Sequence, residues 1–377
     1  MAMIGGGMGS FIGPVHIMAA RMDNMIELVA GAFSSDPVTS LNSGIKYGLG
    51  EDRIYDNWKD MLNREAQLPD KERPDFVCIA TPNHLHFEPA MESIRAGFHV
   101  ACDKPLCLTL NEANTLRKTL EENNKLFLFT HNYTGYPMVK KAREMILNGE
   151  LGVIRKVVVE YLQGWLSERE EVKGNKQAEW RADPAKAGNA GCMGDIGTHA
   201  FQLSEYITGK KVVKLYSQLS TFVEGRILDD DGNVILNFED NIKGSLVASQ
   251  VATGEENGLS IKIYGTKGSI FWQQMEPNTL IARWKDSPVQ IYRTGTGFKA
   301  LGEMAGMHSR LPAGHPEGFI EAFANLYRNF SLHLHANKKG VKHDQSYDYP
   351  GIDDGVRGMK FLEAVVLSSR EEKWARL

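Results

Sequence analysis

Met1-Ala2-Met3-Ile4-Gly5-Gly6-Gly7-Met8-Gly9-Ser10-Phe11-Ile12-Gly13 opens the chain, and its reading decides the fold. A short apolar run breaks on glycines, and a helical stretch follows with Ile12, Val15, Met18 and Ala19 on one face. A strand that turns through glycines into a helix is where a dinucleotide's pyrophosphate sits, on free backbone N–H groups at the positive end of the helix dipole. Glycines there let the backbone turn tightly and approach phosphate without Cβ clashes. Gly5 and Gly7 fit the usual spacing, but five residues rather than two separate Gly7 from Gly13. In isolation a plain glycine turn reads the same way, so the flanking pattern must decide.

That pattern is strand and helix in alternation. Residues 26–33, 75–80, 99–102 and 125–130 are further continuous apolar runs, and between them lie stretches with helical spacing such as Leu110, Ala113, Leu116 and Leu120. Strands buried on both faces read as unbroken apolar runs, and intervening helices imply parallel crossovers. Residues 1–134 are therefore expected to form a doubly wound Rossmann-type α/β domain with a parallel sheet. After Gly152 the rhythm changes. Residues 153–165, 211–223, 242–252, 259–273 and 278–293 are rich in β-branched and aromatic side chains. Between them fall Asp229-Asp230-Asp231-Gly232-Asn233, Gly254-Glu255-Glu256-Asn257-Gly258 and Gly265-Thr266-Lys267-Gly268, which read as hairpin turns. Residues 135–377 should thus be an α/β domain on a large, mainly antiparallel open sheet. It has one helix near 195–207 and two more near 315–336 and 353–372, the last of which can pack back on the first domain. The Gly- and Met-rich stretch 294–316 lacks periodicity, and loops of that length are usually lids or disordered.

Composition narrows the classes. The 377 residues suit two domains, and 43 Lys plus Arg against 47 Asp plus Glu give a net charge of −4. A nucleic-acid or polybasic membrane surface needs a cationic excess, so neither partner is expected. No uncharged apolar run reaches the roughly 18 residues of a membrane span, and the start lacks a signal peptide's apolar core. Cys78, Cys102, Cys107 and Cys192 form neither a disulfide framework nor a CxxC pair, so no metal site is expected. A cytoplasmic protein is the expectation. The first strand lies so near residue 1 that there is room for a segment upstream.

The strand ends carry the chemistry. An acidic residue ending the second strand would hold an adenosine ribose diol and repel a 2′-phosphate. Here Phe33-Ser34-Ser35-Asp36-Pro37 stands there, with no arginine beside the serines. Ser34 and Ser35 tolerate NAD or NADP, and Asp36, if it reaches back, favours NAD. The third strand ends in Ala80-Thr81-Pro82-Asn83-His84-Leu85-His86, a polar turn of the kind that lines a ligand crevice, although Asn83 also suits a helix cap. The fourth ends in Cys102-Asp103-Lys104-Pro105, which aims a lysine at the same crevice. Further on, Gly194-Asp195-Ile196-Gly197-Thr198-His199 leads into Ala200, Leu203 and Ile207 at helical spacing. Asp195 and His199 then share one helical face, opposite the apolar stripe. A capping aspartate and an exposed histidine would look similar, yet a histidine is the usual proton acceptor when an alcohol loses hydride.

Taken in order and at this spacing, the glycine-rich start, Thr81-Pro82-Asn83 with His86, Asp103-Lys104-Pro105 and Gly194–His199 resemble the glucose–fructose oxidoreductase, inositol 2-dehydrogenase and MocA (Gfo/Idh/MocA) family over nearly the whole chain. The resemblance implies a Rossmann domain and an α/β domain whose open sheet often makes oligomer contacts, hence a homo-oligomer, dimer or tetramer. It implies NAD or NADP as cofactor, with NAD favoured, and a carbohydrate or polyol as substrate. By motif match Lys104, Asp195 and His199 are the family's catalytic set. Cofactor contacts fall on Gly5, Gly7, Ser10, Phe11, Ile12, Ser34, Ser35, Thr81, Pro82, Asn83, His86, Asp103, Lys104 and Asn132. Lys104, Tyr133, Trp165, Trp180, Arg181, Asp195 and His199 would meet substrate. The tryptophans and Arg181 suit a sugar face and its hydroxyls, or else core packing and a surface ion pair. The chain departs from the family in three places. The glycine loop has about three extra residues, Asp103 stands where glutamate is common, and Gln202 stands where a second aspartate often follows the histidine. Beyond a dehydrogenase that releases its cofactor, two alternatives fit the same motifs. One is an enzyme that retains the cofactor, for transhydrogenation between sugars or redox-assisted glycoside cleavage through a 3-keto intermediate. The other is a cofactor-sensing regulator.

Overall fold

The computed structural model describes residues 1–297 and 301–377. It divides into two compact units, Met1–His131 with Phe323–Val356, and Asn132–Ala322 with Arg357–Leu377. The expected boundary at 134/135 assigns residues 323–356 to the second domain, whereas they cluster with the first unit.

In the first unit the apolar runs become strands β1 (Ala2–Gly5), β2 (Ala30–Ala32), β3 (Phe76–Ala80), β4 (His99–Cys102) and β5 (Phe127–Phe129). They form a five-stranded sheet in the order β2-β1-β3-β4-β5, every pair parallel. Helices α1 (Ile12–Arg21), α2 (Pro37–Lys46), α3 (Trp58–Ala66), α4 (Phe87–Arg95) and α5 (Leu110–Glu122) make the crossovers. The order reverses at β1, and ligands of such sheets bind beyond the carboxyl ends of the strands at that point. The second strand is shorter than the expected 26–33, because its neighbour β1 offers partners only from Ala2↔Ala30 to Ile4↔Ala32.

The second unit begins with α6 (Pro137–Leu147), which the apolar runs did not announce. Its sheet comprises β6 (Ile154–Leu162), β7 (Val212–Ser220), β8 (Asp231–Phe238), β9 (Lys243–Ser249), β10 (Gly258–Gly265), β11 (Gly268–Gln273), β12 (Thr279–Trp284), β13 (Gln290–Arg293) and β14 (Ala375–Arg376). The nine strands run β13-β12-β11-β10-β6-β9-β8-β7-β14, and only β6 with β9 is parallel. The expected turn at 229–233 is corrected: Asp231, Gly232 and Asn233 already pair with Ser249, Ala248 and Val247, and the connection lies upstream of them. A Cβ on Gly232 would collide with Met193 Cε and lie 2.8 Å from Leu219 Cδ2, so a side chain there would displace both. The remaining helices are α7 (Lys176–Arg181), α8 (Pro184–Ala187), α9 (Thr198–Thr208), α10 (Glu303–Met307), α11 (Phe319–Lys338) and α12 (Ile352–Glu371). Phe201 and Phe361 stack at 4.2 Å between ring centroids, and Arg357 pairs with buried Glu205, fixing the C-terminal segment within this unit. Of the stretch 294–316, residues 298–300 lie outside the described residues. The rest holds α10 and a bridge between Thr296 and Pro312, so it has more order than its sequence announces.

Among the described residues no helix is long and apolar enough to cross a membrane, and no group of three or more His, Cys, Asp or Glu is placed to hold a metal ion. All four cysteines are free and buried.

Candidate active site

The glycine turn leaves β1 with Gly5 and Gly6 at φ +76° and +69°, in the left-handed region that glycine tolerates. A Cβ on Gly5 would lie 2.6 Å from the Ala80 carbonyl, and one on Gly7 2.7 Å from that of Phe33. One on Gly13 would collide with the Gly6 carbonyl, so glycine is what lets helix and strand touch here. The lengthened loop is anchored from the next helix and its end. Ser43 Oγ accepts the Met8 N–H at 2.9 Å, and Tyr47 donates its hydroxyl to the Gly6 carbonyl at 2.8 Å. Sequence reasoning missed both residues, since nothing local marks them. Ser10 Oγ accepts the Gly13 N–H at 3.2 Å, and the first turn of α1 holds no acidic residue. The first amides of a helix have no intrahelical acceptor, so this end offers N–H groups and a positive dipole to an anion. Gly9 has open space where its Cβ would be, and Met8 and Phe11 are exposed. This cradle fits a dinucleotide's pyrophosphate.

The remaining contacts of the first unit sort themselves by geometry. Ser34 and Ser35 stay accessible beyond β2, Ser34 Oγ accepting the Asp36 N–H at 3.1 Å. Asp36 does not reach back toward the strand, as one reading expected. Its Oδ2 accepts the Thr39 N–H at 2.9 Å and the Thr39 hydroxyl at 2.5 Å, capping α2, and these bonds hold its carboxyl below the usual range. Thr81 donates to the Leu85 carbonyl and Asn83 is buried. His86 is fully buried, its Nδ1 2.7 Å from the Pro105 carbonyl and its Nε2 2.9 Å from that of Thr81. Burial draws its pKa down. Both ring nitrogens face backbone carbonyls, to one of which the neutral ring donates, so His86 packs between the Thr81 turn and the Lys104–Pro105 segment. Lys104 stands two residues beyond β4, half-buried, ahead of a cis peptide bond to Pro105.

In the second unit the sequence Met193–Gly197 forms a turn of π-helix that runs straight into α9. Wide turns of this kind recur at functional sites. Buried Asp229 holds the turn, its two oxygens accepting the Gly191 and Met193 N–H groups at 2.7 and 2.8 Å. Burial still pushes its carboxyl up to about 6. Asp195 sits in the turn, and its Oδ2 accepts from Arg181 Nε at 3.1 Å and Gln250 Nε2 at 2.8 Å. The Arg181 guanidinium lies 4.2 Å from the Trp180 ring centroid and 5.8 Å from that of Trp165, a cation–π sandwich. His199 is 7% exposed, and α9 is buried almost all round, so the expected split into an apolar stripe and a free face does not hold. The edge of His199 meets Tyr133 at 4.9 Å between centroids.

Around them runs a chain of hydroxyls and amides. The Tyr133 and Tyr161 hydroxyls are 2.5 Å apart, and Tyr161 donates to Asn257 Oδ1 at 2.6 Å. Gln163 Nε2 donates to the same oxygen at 2.8 Å, and Trp165 Nε1 to Gln163 Oε1 at 3.0 Å. Burial raises the pKa of both tyrosines, keeping them neutral donors. Asn132 is buried with its Nδ2 unpaired by protein, an unspent donor. Gln202, in the departure position, is buried. The geometry therefore brings Tyr133, Trp165, Trp180, Arg181, Asp195 and His199 into one network and adds Tyr161, Gln163, Gln250 and Asn257. Tyr161 and Gln163 were open to discovery, because they stand two residues apart at the end of β6 and alternate within the expected run 153–165.

Residues 1–133 match the oxidoreductase family with an NAD-binding Rossmann fold, and residues 139–271 match the GFO/IDH/MocA C-terminal domain. An uncharacterized oxidoreductase of Bacillus subtilis (strain 168) is 33% identical over 374 residues, 98% of this chain and 94% of that protein. The levoglucosan dehydrogenase of Pseudarthrobacter phenanthrenivorans is 28% identical over 302 residues, 72% of each chain. The crystal structure of an inositol dehydrogenase homolog complexed with NAD+ from Azotobacter vinelandii superposes with a TM-score of 0.94 at 35% identity, over 100% of this chain and 96% of that one. The glycine cradle, the lysine just beyond β4 and the aspartate–histidine turn thus belong to an oxidoreductase with an NAD-binding Rossmann domain, a member of the Gfo/Idh/MocA family.

Proposed function

We propose that this chain is an NAD-dependent dehydrogenase acting on a hydroxyl-bearing carbon of a sugar, glycoside or cyclitol. The observation that carries the reading is the second unit's array. An imidazole lies edge-on to a tyrosine, beside a carboxylate held by arginine and glutamine, amid amides and hydroxyls suited to a polyhydroxylated ring. Relatives named for levoglucosan and inositol support that substrate class. Nicotinamide, when bound, supplies the hydride acceptor. His199 takes the proton of the reacting hydroxyl, and Lys104 stabilises the negative charge that develops on its oxygen. Asp195, fixed by Arg181 and Gln250, orients the sugar's neighbouring hydroxyls, and Trp165 and Trp180 offer apolar faces to its C–H groups. NAD is favoured over NADP because residues 33–40 hold no cation to receive a 2′-phosphate.

The test is absorbance of reduced nicotinamide when purified protein meets NAD or NADP and a panel of sugars, glycosides and inositols, with Lys104→Ala and His199→Ala alongside. A rise with NAD and one polyol, lost in both variants while NAD binding persists, is expected. Full activity in Lys104→Ala removes its role. Reduced cofactor that stays on the protein identifies instead an enzyme that returns the hydride to a second substrate.

A further inference from the structure

The glycine cradle and the amide array leave one buried polar cluster of the first unit unused. His16, one turn into α1, is 0% exposed. Its Nε2 lies 3.1 Å from Asp103 Oδ1 and its Nδ1 2.6 Å from the Tyr327 hydroxyl. That hydroxyl is in turn 3.2 Å from Cys78 Sγ on β3. Thr130, just past β5, donates to the same Asp103 oxygen at 2.5 Å. Phe323 closes the cluster with an edge contact to the imidazole, 4.9 Å between centroids. A polar group this deep is retained only with its hydrogen bonds made, and a charge only with its counter-charge.

The charges agree from both sides. Burial pulls the pKa of His16 down, but Cys78 and Asp103 outweigh it and carry it up to about 10. Burial likewise pushes Asp103 up, and His16 and Thr130 overcome it, holding the carboxyl below its usual range. The other titratable groups facing the pair are Cys102, His86 and Lys104 around Asp103, and Tyr327 and Cys78 around His16. Aspartate rather than glutamate at 103 matters here. The shorter side chain keeps its carboxylate at the strand end, on the side of α1.

We infer that His16 is a positioning residue for Lys104. As a buried imidazolium it fixes the Asp103 carboxylate, and with it the strand end that bears Lys104, to the helix whose first turn receives the cofactor's phosphates. One side chain thereby joins the phosphate cradle to the reactive lysine, and Tyr327 braces the joint from α11. The inference rests on the role proposed for Lys104.

Two substitutions separate positioning from packing. In His16→Gln the amide nitrogen falls where Nε2 was and keeps the donor to Asp103. In His16→Asn it falls where Nδ1 was, keeping the Tyr327 bond and losing Asp103. His16→Asn is expected to lower kcat about tenfold or more, with polyol KM and NAD Kd (by fluorescence titration) each within about threefold, and His16→Gln to recover most of that loss. Nitrogen-15 NMR of the histidine rings gives a readout independent of turnover, and it needs no His16 variant to fold. Both nitrogens of His16 should be protonated at pH 8 in the wild type, and not in Asp103→Asn. A neutral His16 ring at pH 8, or equal loss of kcat in the two variants, overturns the inference. Turnover by Lys104→Ala overturns the lysine's role itself, whereas an inactive Lys104→Ala beside a fully active His16→Asn overturns only the part given to His16.

Discussion

Oδ2 of Asp195 accepts from Arg181 and Gln250, whereas Oδ1 of Asp103 accepts from His16 and Thr130. The two carboxylates differ in what a substitution nearby should do. Gln250→Ala removes a hydrogen bond to a charged group, worth about 1.5–3 kcal/mol. It is expected to raise polyol KM roughly tenfold while NAD affinity, measured by fluorescence titration, stays put. His16 answers to pH instead. Its folded pKa lies above the unfolded value, so its stabilisation is complete below about 6.5 and is lost as pH rises through about 10. The gap in urea-unfolding free energy between wild type and His16→Asn should therefore narrow steadily from pH 6.5 to 9.5. A constant gap would mean the imidazole is uncharged in the fold. Lys104, Asp195 and His199 could be singled out as candidates because each stands in a short motif at an element's end. Gln250 and Asn257 were not, since only the pairing of β6 with β9 and β10 brings them beside Gln163 and Asp195, and no local spacing encodes that pairing.

Elements explain which of these positions are held rigidly. The π-turn at Met193–Gly197 depends on one carboxylate, and Asp229→Ala would strand the buried N–H groups of Gly191 and Met193. At about 1–3 kcal/mol for each unmade bond, the variant should lose roughly 2–6 kcal/mol in urea unfolding. Turnover should fall further than that loss of folded protein explains, because Asp195 rides on the turn. Gly13→Ala drives a methyl into the Gly6 carbonyl and should abolish NAD binding in titration while the second unit's tertiary signals persist. The parallel strands were readable because burial on both faces makes them continuous apolar runs. β8 was misread at its start because Asp231-Gly232-Asn233 carries turn chemistry. There the glycine makes room for Met193 of a distant segment, a tertiary contact that imitates a local signal.

For the whole molecule, connectivity is the decisive feature. The first unit takes its residues from two separated stretches, and Phe323, Tyr327 and Phe330 of the later one are fully buried. Phe330 meets the edge of Phe76 at 5.2 Å between centroids, and Tyr327 completes the His16 network. A fragment cut at residue 134 should accordingly lack cooperative unfolding and NAD binding, whereas one carrying 323–356 on a short linker should regain both. The uncovered face of the large sheet presents the row Ile235, Ser245, Val158, Lys262, Phe271, Ile281 and Ile291, each paired across to the next, with Ile235 and Ile291 exposed. Such a row, apolar but for Ser245 and Lys262, suits self-association. Light scattering should report an oligomer that Phe271→Glu dissociates, and a wild-type monomer would reject that expectation. The split first unit also sets a timetable for the ribosome. After His131 leaves, the aromatic lid of Phe76 and Cys78 is still unmade, and at ~5–20 residues per second it is delayed by roughly 10–45 s. Through that interval the nascent parallel sheet lacks the buried aromatics Phe323, Tyr327 and Phe330 that complete its unit.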